Sequence, residues 1–275
     1  MAIYYLTPDS TAPSGGVRLL YRHVDLLQRN GIEAYIVHER AGFRAGWFES
    51  STPIRSWTQQ PAWQGSDGLK ARVLRRARRG NRPRPALPFL HLNEPTELTF
   101  GPDDVLAIPE VFGCDLGSIA PGVRKVVLNL GPYLFFNAYP ASTPPSAFSM
   151  RGPDVVATIV GSRDTKVLLE YAFPEARVLH VRPGIDPAHF HDGDPKEPRI
   201  SYLPRQHSDG PGAVLGILAA RGALDGYEVT PISGLDEAGT AAAMRKTLVL
   251  LTHRFLEGFG LPGLEAMACG AAAVG

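Results

Sequence analysis

The chain has 275 residues, of which 44% are hydrophobic and 20% are charged, and its formal net charge is +1. This length accommodates one large or two modest domains, and the composition is ordinary for a globular protein. No apolar run is long enough to span a bilayer, no secretory leader pattern opens the chain, and the two cysteines, Cys114 and Cys269, provide neither a disulfide framework nor metal-ligand spacing. We therefore expect a cytoplasmic protein without a metal site.

The first forty residues predict a βαβ unit. Residues 3–6 and 34–37 are short apolar runs that predict strands, and residues 17–30 have apolar side chains at helical spacing. Such a unit belongs to a parallel sheet, in which ligands bind at the carboxyl ends of the strands. Gly15 and Gly16 are expected in the loop at such an end. They either let the backbone approach a ligand phosphate or form a tight turn, and the sequence leaves both explanations open.

A basic cluster lies in an irregular stretch, residues 38–90. Its eight cationic residues are Lys70, Arg72, Arg75, Arg76, Arg78, Arg79, Arg82 and Arg84. A cluster of this kind either binds anionic lipid head groups or lies solvated on a loop, and both alternatives stay open. Because it lacks interleaved aromatic residues and a helix-turn-helix pattern, we expect no nucleic-acid partner.

Four further apolar runs predict buried parallel strands, at residues 105–108, 126–128, 155–160 and 178–181. The loops at their carboxyl ends carry polar residues, namely Glu110, Asn129, Tyr133, Ser162 and Arg163. Ser162 also suits the N-cap of a helix predicted at residues 164–171, and capping is the role that we expect for it.

A polar linker at residues 189–199 joins two predicted domains, residues 1–184 and 185–275. It contains Asp192-Gly193-Asp194, which looks like a metal-binding Asp-x-Asp motif. Such a motif belongs at a strand end inside a sheet, so we expect no metal site in the linker. Beyond the linker, strands and helices alternate again and predict a second parallel sheet. The predicted strands are residues 200–203, 228–232, 248–251 and 271–274, and the predicted helices are residues 211–221, 236–247 and 262–269.

Two glutamates bracket a glycine-rich turn between the last two predicted strands. The run is Glu257-Gly258-Phe259-Gly260-Leu261-Pro262-Gly263-Leu264-Glu265, and Pro262 suits the first position of the helix. Backbone N–H groups at a helix start attract phosphate, and carboxylates accept hydrogen bonds from sugar hydroxyls. With Glu257 on the loop and Glu265 in the first turn, both are expected to face one ligand, a nucleotide sugar. The alternative is an ordinary helix start with a favourable acid in its first turn.

The segment from Glu257 to Gly270 resembles the acid–seven–acid motif of the retaining glycosyltransferases of family 4, which have the GT-B fold. The run Arg-Pro-Gly-Ile-Asp at residues 182–186, followed by Phe190, resembles the end of the N-terminal domain in that family. The resemblance implies an α/β protein of two Rossmann-like domains, the first on the acceptor side and the second binding the nucleotide sugar. Family members continue beyond the last predicted strand, so the second domain is expected to be incomplete.

The resemblance also implies roles for individual residues, of which Glu257 and Arg205 are the catalytic candidates. Glu257 is expected to position the hydroxyls of the donor sugar, and Glu265 those of the ribose. Gln206 stands where some relatives have a second basic residue. The leaving diphosphate is expected to meet Arg205, Gly15, Gly16 and the N–H groups around Gly258, Phe259, Gly260 and Leu261.

In this family the nucleotide sugar is a co-substrate, and no metal or other cofactor is required. The acceptor is expected to be a glycan or a lipid-linked hydroxyl, and Arg72–Arg84 to contact the anionic inner face of the membrane peripherally. Residues 203–205 and 231–235 resemble bacterial rhamnosyltransferase-like members, which implies a dTDP-linked deoxysugar and polysaccharide or glycoconjugate synthesis. Two alternatives remain: a nucleotide-sugar epimerase or hydrolase of the same fold, and a non-catalytic module that binds a nucleotide or a partner enzyme.

Overall fold

The computed structural model describes residues 1–57, 98–204, 210–252 and 258–275. The chain divides into two compact units, Met1–Val181 and Arg182–Gly275. The sequence places this boundary three residues later, between Gly184 and Ile185. In the described ranges no helix is long and apolar enough to cross a membrane.

In the first unit, the described strands form one parallel sheet in the order β3-β2-β1-β4-β5-β6-β7. The strands are β1 (Ile3–Leu6), β2 (Ala34–His38), β3 (Ile54–Ser56), β4 (Val105–Pro109), β5 (Arg124–Asn129), β6 (Val155–Val160) and β7 (Val178–His180). Six of them are predicted by the sequence, with bounds that differ by at most two residues. The exception is β3, which lies in the stretch treated as irregular and pairs with Ile36–His38 of β2.

Both faces of this sheet carry apolar cores. On one face, α1 (Gly15–Arg29) buries Leu20 and Val24 in a cluster that also contains Leu128 of β5. The neighbouring residue Val127 belongs to the second cluster, together with Phe135. This division follows from the strand geometry, because successive side chains point to opposite faces.

The second cluster is covered by short helical elements and one longer helix. They are a kinked 3-10 segment (Glu110–Gly117), α2 (Leu134–Asn137), two 3-10 turns (Pro145–Ala147 and Ser149–Arg151) and α3 (Arg163–Ala172). Ser162 caps α3 as predicted, since its hydroxyl accepts a hydrogen bond from the N–H of Thr165 at 3.1 Å.

The second unit has its own parallel sheet, in the order β11-β10-β8-β9. The strands are β8 (Arg199–Tyr202), β9 (Glu228–Pro231), β10 (Val249–Leu251) and β11 (Ala272–Val274), and the helices are α4 (Gly210–Ala220), α5 (Glu237–Lys246) and α6 (Leu261–Ala268). All seven are predicted by the sequence. Phe190, Met244, Leu250 and Cys269 lie in the core of this unit, which brings the linker residue Phe190 into the second domain.

Polar contacts attach the rest of the linker to the same unit. Arg245 of α5 donates from Nε to Asp194 at 3.0 Å and from Nη1 to the carbonyl of His189 at 2.8 Å. The ammonium of Lys196 donates to the carbonyl oxygens of Arg245 and Cys269. Asp192 lies against Gly270, where a Cβ atom would come within 2.5 Å of its carboxylate. The two aspartates of the Asp-x-Asp sequence thus make separate packing and charge contacts within the unit.

Candidate functional site

The start of α6 forms the described part of the glutamate motif. Gly260 is the N-cap residue and has φ 72° and ψ 51°, a left-handed conformation that favours glycine. Its carbonyl accepts hydrogen bonds from the N–H groups of Gly263 at 3.1 Å and Leu264 at 3.4 Å. The helix begins at Leu261, so Pro262 occupies the second helical position and not the predicted first one. The N–H of Leu261 therefore has no acceptor within the helix, as an anion-binding helix start requires.

Glu265 lies one residue further into α6 than the sequence predicts. The first turn of α6 contains no acidic residue, and Glu265 is the fifth residue of the helix. The prediction that Glu265 lies in the first turn is therefore wrong, because the left-handed Gly260 starts the helix one residue earlier. The alternative of a favourable first-turn acid fails for the same reason. Only 4% of Glu265 is exposed, so this carboxylate lies inside the unit and not in solvent.

Two predicted catalytic residues lie outside the described residues. Arg205 and Glu257 belong to the ranges 205–209 and 253–257, and their roles stay predictions. The same holds for Gln206 and for the basic cluster Arg72–Arg84. Gly258, Phe259, Gly260 and Leu261 are described, and they lead directly into α6.

Gly15 and Gly16 are the first two residues of α1 and not part of a preceding loop. Ser14 is the N-cap, and its hydroxyl accepts a hydrogen bond from the N–H of Val17 at 3.4 Å. Neither glycine has a positive φ, so a turn conformation does not require them. A Cβ atom at Gly16 would instead lie 3.3 Å from Cδ1 of Leu130. Glycine at this position allows close packing of the helix start on the segment that follows β5.

A buried Asp–His–Tyr network fixes the loop before α1, and the sequence analysis did not detect it. Asp9 in this loop accepts from Nδ1 of His38 at 2.8 Å and from the N–H of Arg40 at 2.9 Å. Nε2 of the same ring is hydrogen-bonded to the hydroxyl of Tyr21 at 2.7 Å. His38 and Tyr21 are fully buried. The hydrogen bonds of this network connect the carboxyl ends of β1 and β2 with α1.

Glu110, at the carboxyl end of β4, forms a second buried contact at the same sheet edge. It is 1% exposed, and its two carboxylate oxygens accept hydrogen bonds from the N–H groups of Leu130 at 2.9 Å and Gly131 at 2.7 Å. Burial raises the pKa of Glu110 to about 7, although these backbone bonds act to lower it. Sequence reasoning singled out Glu110 by its position after a strand, but placed it on a loop and not at the start of a 3-10 segment.

Asn129 is the last residue of β5 and lies next to this contact. It is 1% exposed, and neither its side-chain nitrogen nor its oxygen has a hydrogen-bond partner in the part of the chain that the structure describes. Tyr133 and Arg163, the other polar residues predicted at this edge, are exposed. The carboxyl edge of the first sheet therefore combines buried polar groups with exposed ones.

No family model and no curated protein matches the chain. Solved structures do match. HepE from Anabaena, crystallised with UDP, is 14% identical with a TM-score of 0.53, and the match covers 99% of this chain and 80% of HepE. Sucrose-phosphate synthase from Thermosynechococcus elongatus is 13% identical with a TM-score of 0.58 and the same coverage. The pneumococcal O-GlcNAc transferase GtfA, with UDP and GlcNAc, is 10% identical with a TM-score of 0.57, over 99% of this chain and 83% of GtfA.

At these identities the comparison shows the fold. The chain has the GT-B fold, an α/β architecture of two Rossmann-like domains, as the family resemblance implies. The fold defines the class of protein by its architecture alone. One fold can carry different chemistries, which depend on the residues at the edges of the sheets.

Proposed function

We propose that this protein is a glycosyltransferase that uses a nucleotide-sugar donor. The observation that carries the proposal is the start of α6, where a left-handed Gly260 opens the helix after β10 and the carboxylate of Glu265 is buried one turn further on. The N–H of Leu261, which has no acceptor within the helix, suits the diphosphate, and the carboxylate suits the ribose hydroxyls. HepE and GtfA, which share the fold, were each crystallised with UDP.

The finer assignments belong to the same proposal. The enzyme is a retaining, metal-independent member of family 4, close to the bacterial rhamnosyltransferases, with a dTDP-linked deoxysugar as donor. Transfer breaks the bond between the anomeric carbon and the diphosphate oxygen and forms a bond from that carbon to the acceptor oxygen. The proton of the acceptor hydroxyl passes to the leaving phosphate. Arg205 and the α6 start stabilise the developing charge on the diphosphate, and Glu257 positions the hydroxyls of the donor sugar.

The acceptor is proposed to be a glycan or a lipid-linked hydroxyl. The cluster Arg72–Arg84 provides positive charge for peripheral contact with anionic lipid, which suits an enzyme acting on a lipid-linked acceptor. Binding of the purified chain to vesicles with and without anionic lipid tests this contact. Equal binding to both kinds of vesicle contradicts it.

The first experiment is a calorimetric titration of the purified chain with UDP, dTDP and GDP. We expect saturable binding of one nucleotide, and a dissociation constant at least about tenfold higher for Glu265→Gln, because a charged hydrogen-bond acceptor is lost. Glu228→Gln is the matched control, since Glu228 is a solvent-exposed acid on β9 of the same sheet. Unchanged binding by Glu265→Gln would show that the role assigned to Glu265 is wrong. Failure of the wild-type chain to bind any of the nucleotides contradicts the donor proposal.

The products of the reaction distinguish a glycosyltransferase from an epimerase or hydrolase and from a non-catalytic module. Incubation of the bound donor with and without a hydroxyl acceptor is followed by chromatography of the sugar products. Transfer that requires acceptor supports the glycosyltransferase. Turnover of the donor alone identifies an epimerase or hydrolase, and binding without any turnover identifies a non-catalytic module.

A further inference from the structure

We propose that Glu110 is a positioning residue that holds the start of α1 in place through Leu130. The inference rests on the proposed function for its catalytic consequence, but its structural part stands on described contacts alone. It connects a buried carboxylate at the end of β4 with Gly15 and Gly16, the glycine pair of the first unit.

The carboxylate of Glu110 is bonded to the backbone that follows β5. Glu110 accepts from two successive backbone N–H groups, those of Leu130 and Gly131, with one oxygen for each. These residues directly follow β5, so the contact fixes the direction in which the chain leaves the sheet. An ionised carboxylate accepts through both oxygens, which neither a hydroxyl nor an amide side chain reproduces.

Leu130 in turn packs against α1. The side chain of Leu130 packs in the cluster that contains Leu20 and Val24 of α1. Its Cδ1 atom also covers Gly16, where an added Cβ atom would lie at 3.3 Å. A shift of the Leu130 backbone therefore moves a methyl group that lies directly on the first turn of α1.

The surroundings of position 131 independently favour glycine. A Cβ atom there would come within 2.8 Å of Cδ1 of Leu134 and 3.3 Å of Oε1 of Glu110. A larger residue would force the Leu134 side chain to move and would crowd the Glu110 carboxylate. The absence of a Cβ atom at Gly16 and at Gly131 thus leaves room for Leu130 to pack on α1 while its backbone bonds to Glu110.

In the described part of the chain, the cationic groups around Glu110 are paired with acids of their own. On the elements packed against it, Lys125 at the opposite end of β5 pairs with Asp154 at 3.1 Å, and Arg151 pairs with Glu175. The pKa of Glu110 is raised by burial, and the three backbone N–H groups of Glu110, Leu130 and Gly131 oppose that rise. An ionised carboxylate is a stronger acceptor than a protonated one, so the backbone contact is strongest at the pH values where the group is ionised.

For the proposed reaction, we expect that loss of this contact lowers the rate of transfer and leaves the donor affinity unchanged. In this proposal the α6 start supplies the donor affinity, whereas Gly15 and Gly16 at the α1 start act on the leaving diphosphate as charge develops on it. Small misplacements of such groups reduce rates strongly. Glu110→Gln replaces one acceptor oxygen with a donor that faces a backbone N–H, so it releases one of the two bonds.

The test compares Glu110→Gln with Lys125→Met in two measurements. Lys125 is equally buried, and it lies on β5 at the end opposite to Leu130 and Gly131. In NMR spectra without ligand, the amides of Gly15 and Gly16 are expected to shift and to exchange faster in Glu110→Gln and to stay unchanged in Lys125→Met. In transfer assays, Glu110→Gln is expected to lower kcat at least about tenfold with the donor KM within about twofold, and to flatten the dependence of rate on pH.

Leu130→Ala provides a second variant if Glu110→Gln does not fold. It leaves the carboxylate and the backbone donors in place but removes the contact with Gly16, so it is expected to reproduce the same amide shifts and loss of kcat. Unchanged glycine amides in the variants, or an equal fall of kcat in Lys125→Met, overturn the proposal. If wild type shows no transfer, only the proposed function fails, and the amide measurement still decides the positioning role.

Discussion

At the end of β5, the side-chain amide of Asn129 is buried and has no hydrogen-bond partner among the residues that the structure describes. A buried amide without a partner lowers stability by about 1–3 kcal/mol. Val160 of β6 is its neighbour in the sheet register, and a β-branched apolar side chain suits this environment.

We therefore expect Asn129→Val to stabilise the ligand-free protein by about 1 kcal/mol, measured by urea unfolding. Tyr139→Phe is the matched control, because it removes a hydroxyl that is bonded to Ser149 at 2.7 Å and so is expected to destabilise. Loss of stability in Asn129→Val as large as in the control would show that the amide has a partner in solution.

The raised pKa of Glu110 makes stability depend on pH. Its folded-state pKa, about 7, lies above the ordinary value of 4.5, so the folded state binds the proton more tightly than the unfolded state does. The contribution to stability is complete below pH 4.5 and is lost as the pH rises through 7. Glu39, whose pKa burial and nearby Asp9 also raise to about 7, adds a slope of the same sign.

We expect the free energy of unfolding to decline more steeply between pH 4.5 and 7 in wild type than in Glu110→Gln, as measured by urea unfolding at several pH values. The comparison with Glu110→Gln removes the contribution of Glu39, which both proteins share. Parallel curves for the two proteins would mean that Glu110 has an ordinary pKa.

At the level of secondary structure, the five longer helices and every described strand except β3 are readable because each has a local signal, whereas the short helix α2 is not predicted. Ser162 precedes a helical run, and the β-branched runs of β5 and β6 suit strands covered on both faces. β3 has no such signal, because Ile54–Ser56 becomes a strand only by pairing with β2. The 3-10 segment Glu110–Gly117 is missed for a similar reason, since its kink at Gly113 and its packing on α2 depend on tertiary contacts.

The end of α6 shows how one glycine joins the linker to the second unit. Gly270 has φ 79°, and a Cβ atom there would lie 2.5 Å from Oδ1 of Asp192. Gly270→Ala is therefore expected to combine a conformational penalty of about 1–3 kcal/mol with a steric one. Gly234→Ala is the matched control in the same unit, because Gly234 has φ 70° and nothing within 4 Å of the added atom.

Thermal unfolding of the two glycine variants measures the difference, with Gly270→Ala expected to melt at the lower temperature. Asp192→Ala in the Gly270→Ala background is expected to recover the steric part only. Equal melting temperatures for Gly270→Ala and Gly234→Ala would contradict the close contact with Asp192.

On the scale of the whole molecule, each unit has separate apolar cores. The two clusters of the first unit contain residues up to Val178, and the third cluster begins at Ile185. The alternation of strands and helices suffices to predict two parallel sheets, and the motif spacing places the α6 site in the second. The buried contacts of Asp9 and Glu110 are not predictable in this way, because their partners are up to about thirty residues away in sequence.

Because the cores are separate, a fragment of residues 1–181 is expected to fold alone. Circular dichroism of the purified fragment should show a cooperative thermal transition, and its near-ultraviolet spectrum should retain the signals of buried aromatic residues. A fragment that lacks any such transition would show that the first unit depends on the second for stability.

The burial of Cys269 has a practical consequence for labelling. Cys269 has no exposed surface, and burial raises the pKa of its thiol, so the reactive thiolate is disfavoured. Cys114, the other cysteine, is partly accessible and lies in the same 3-10 segment as Glu110. A maleimide fluorophore should therefore attach at a single position in the unmodified chain, and its emission would report directly on the neighbourhood of that carboxylate.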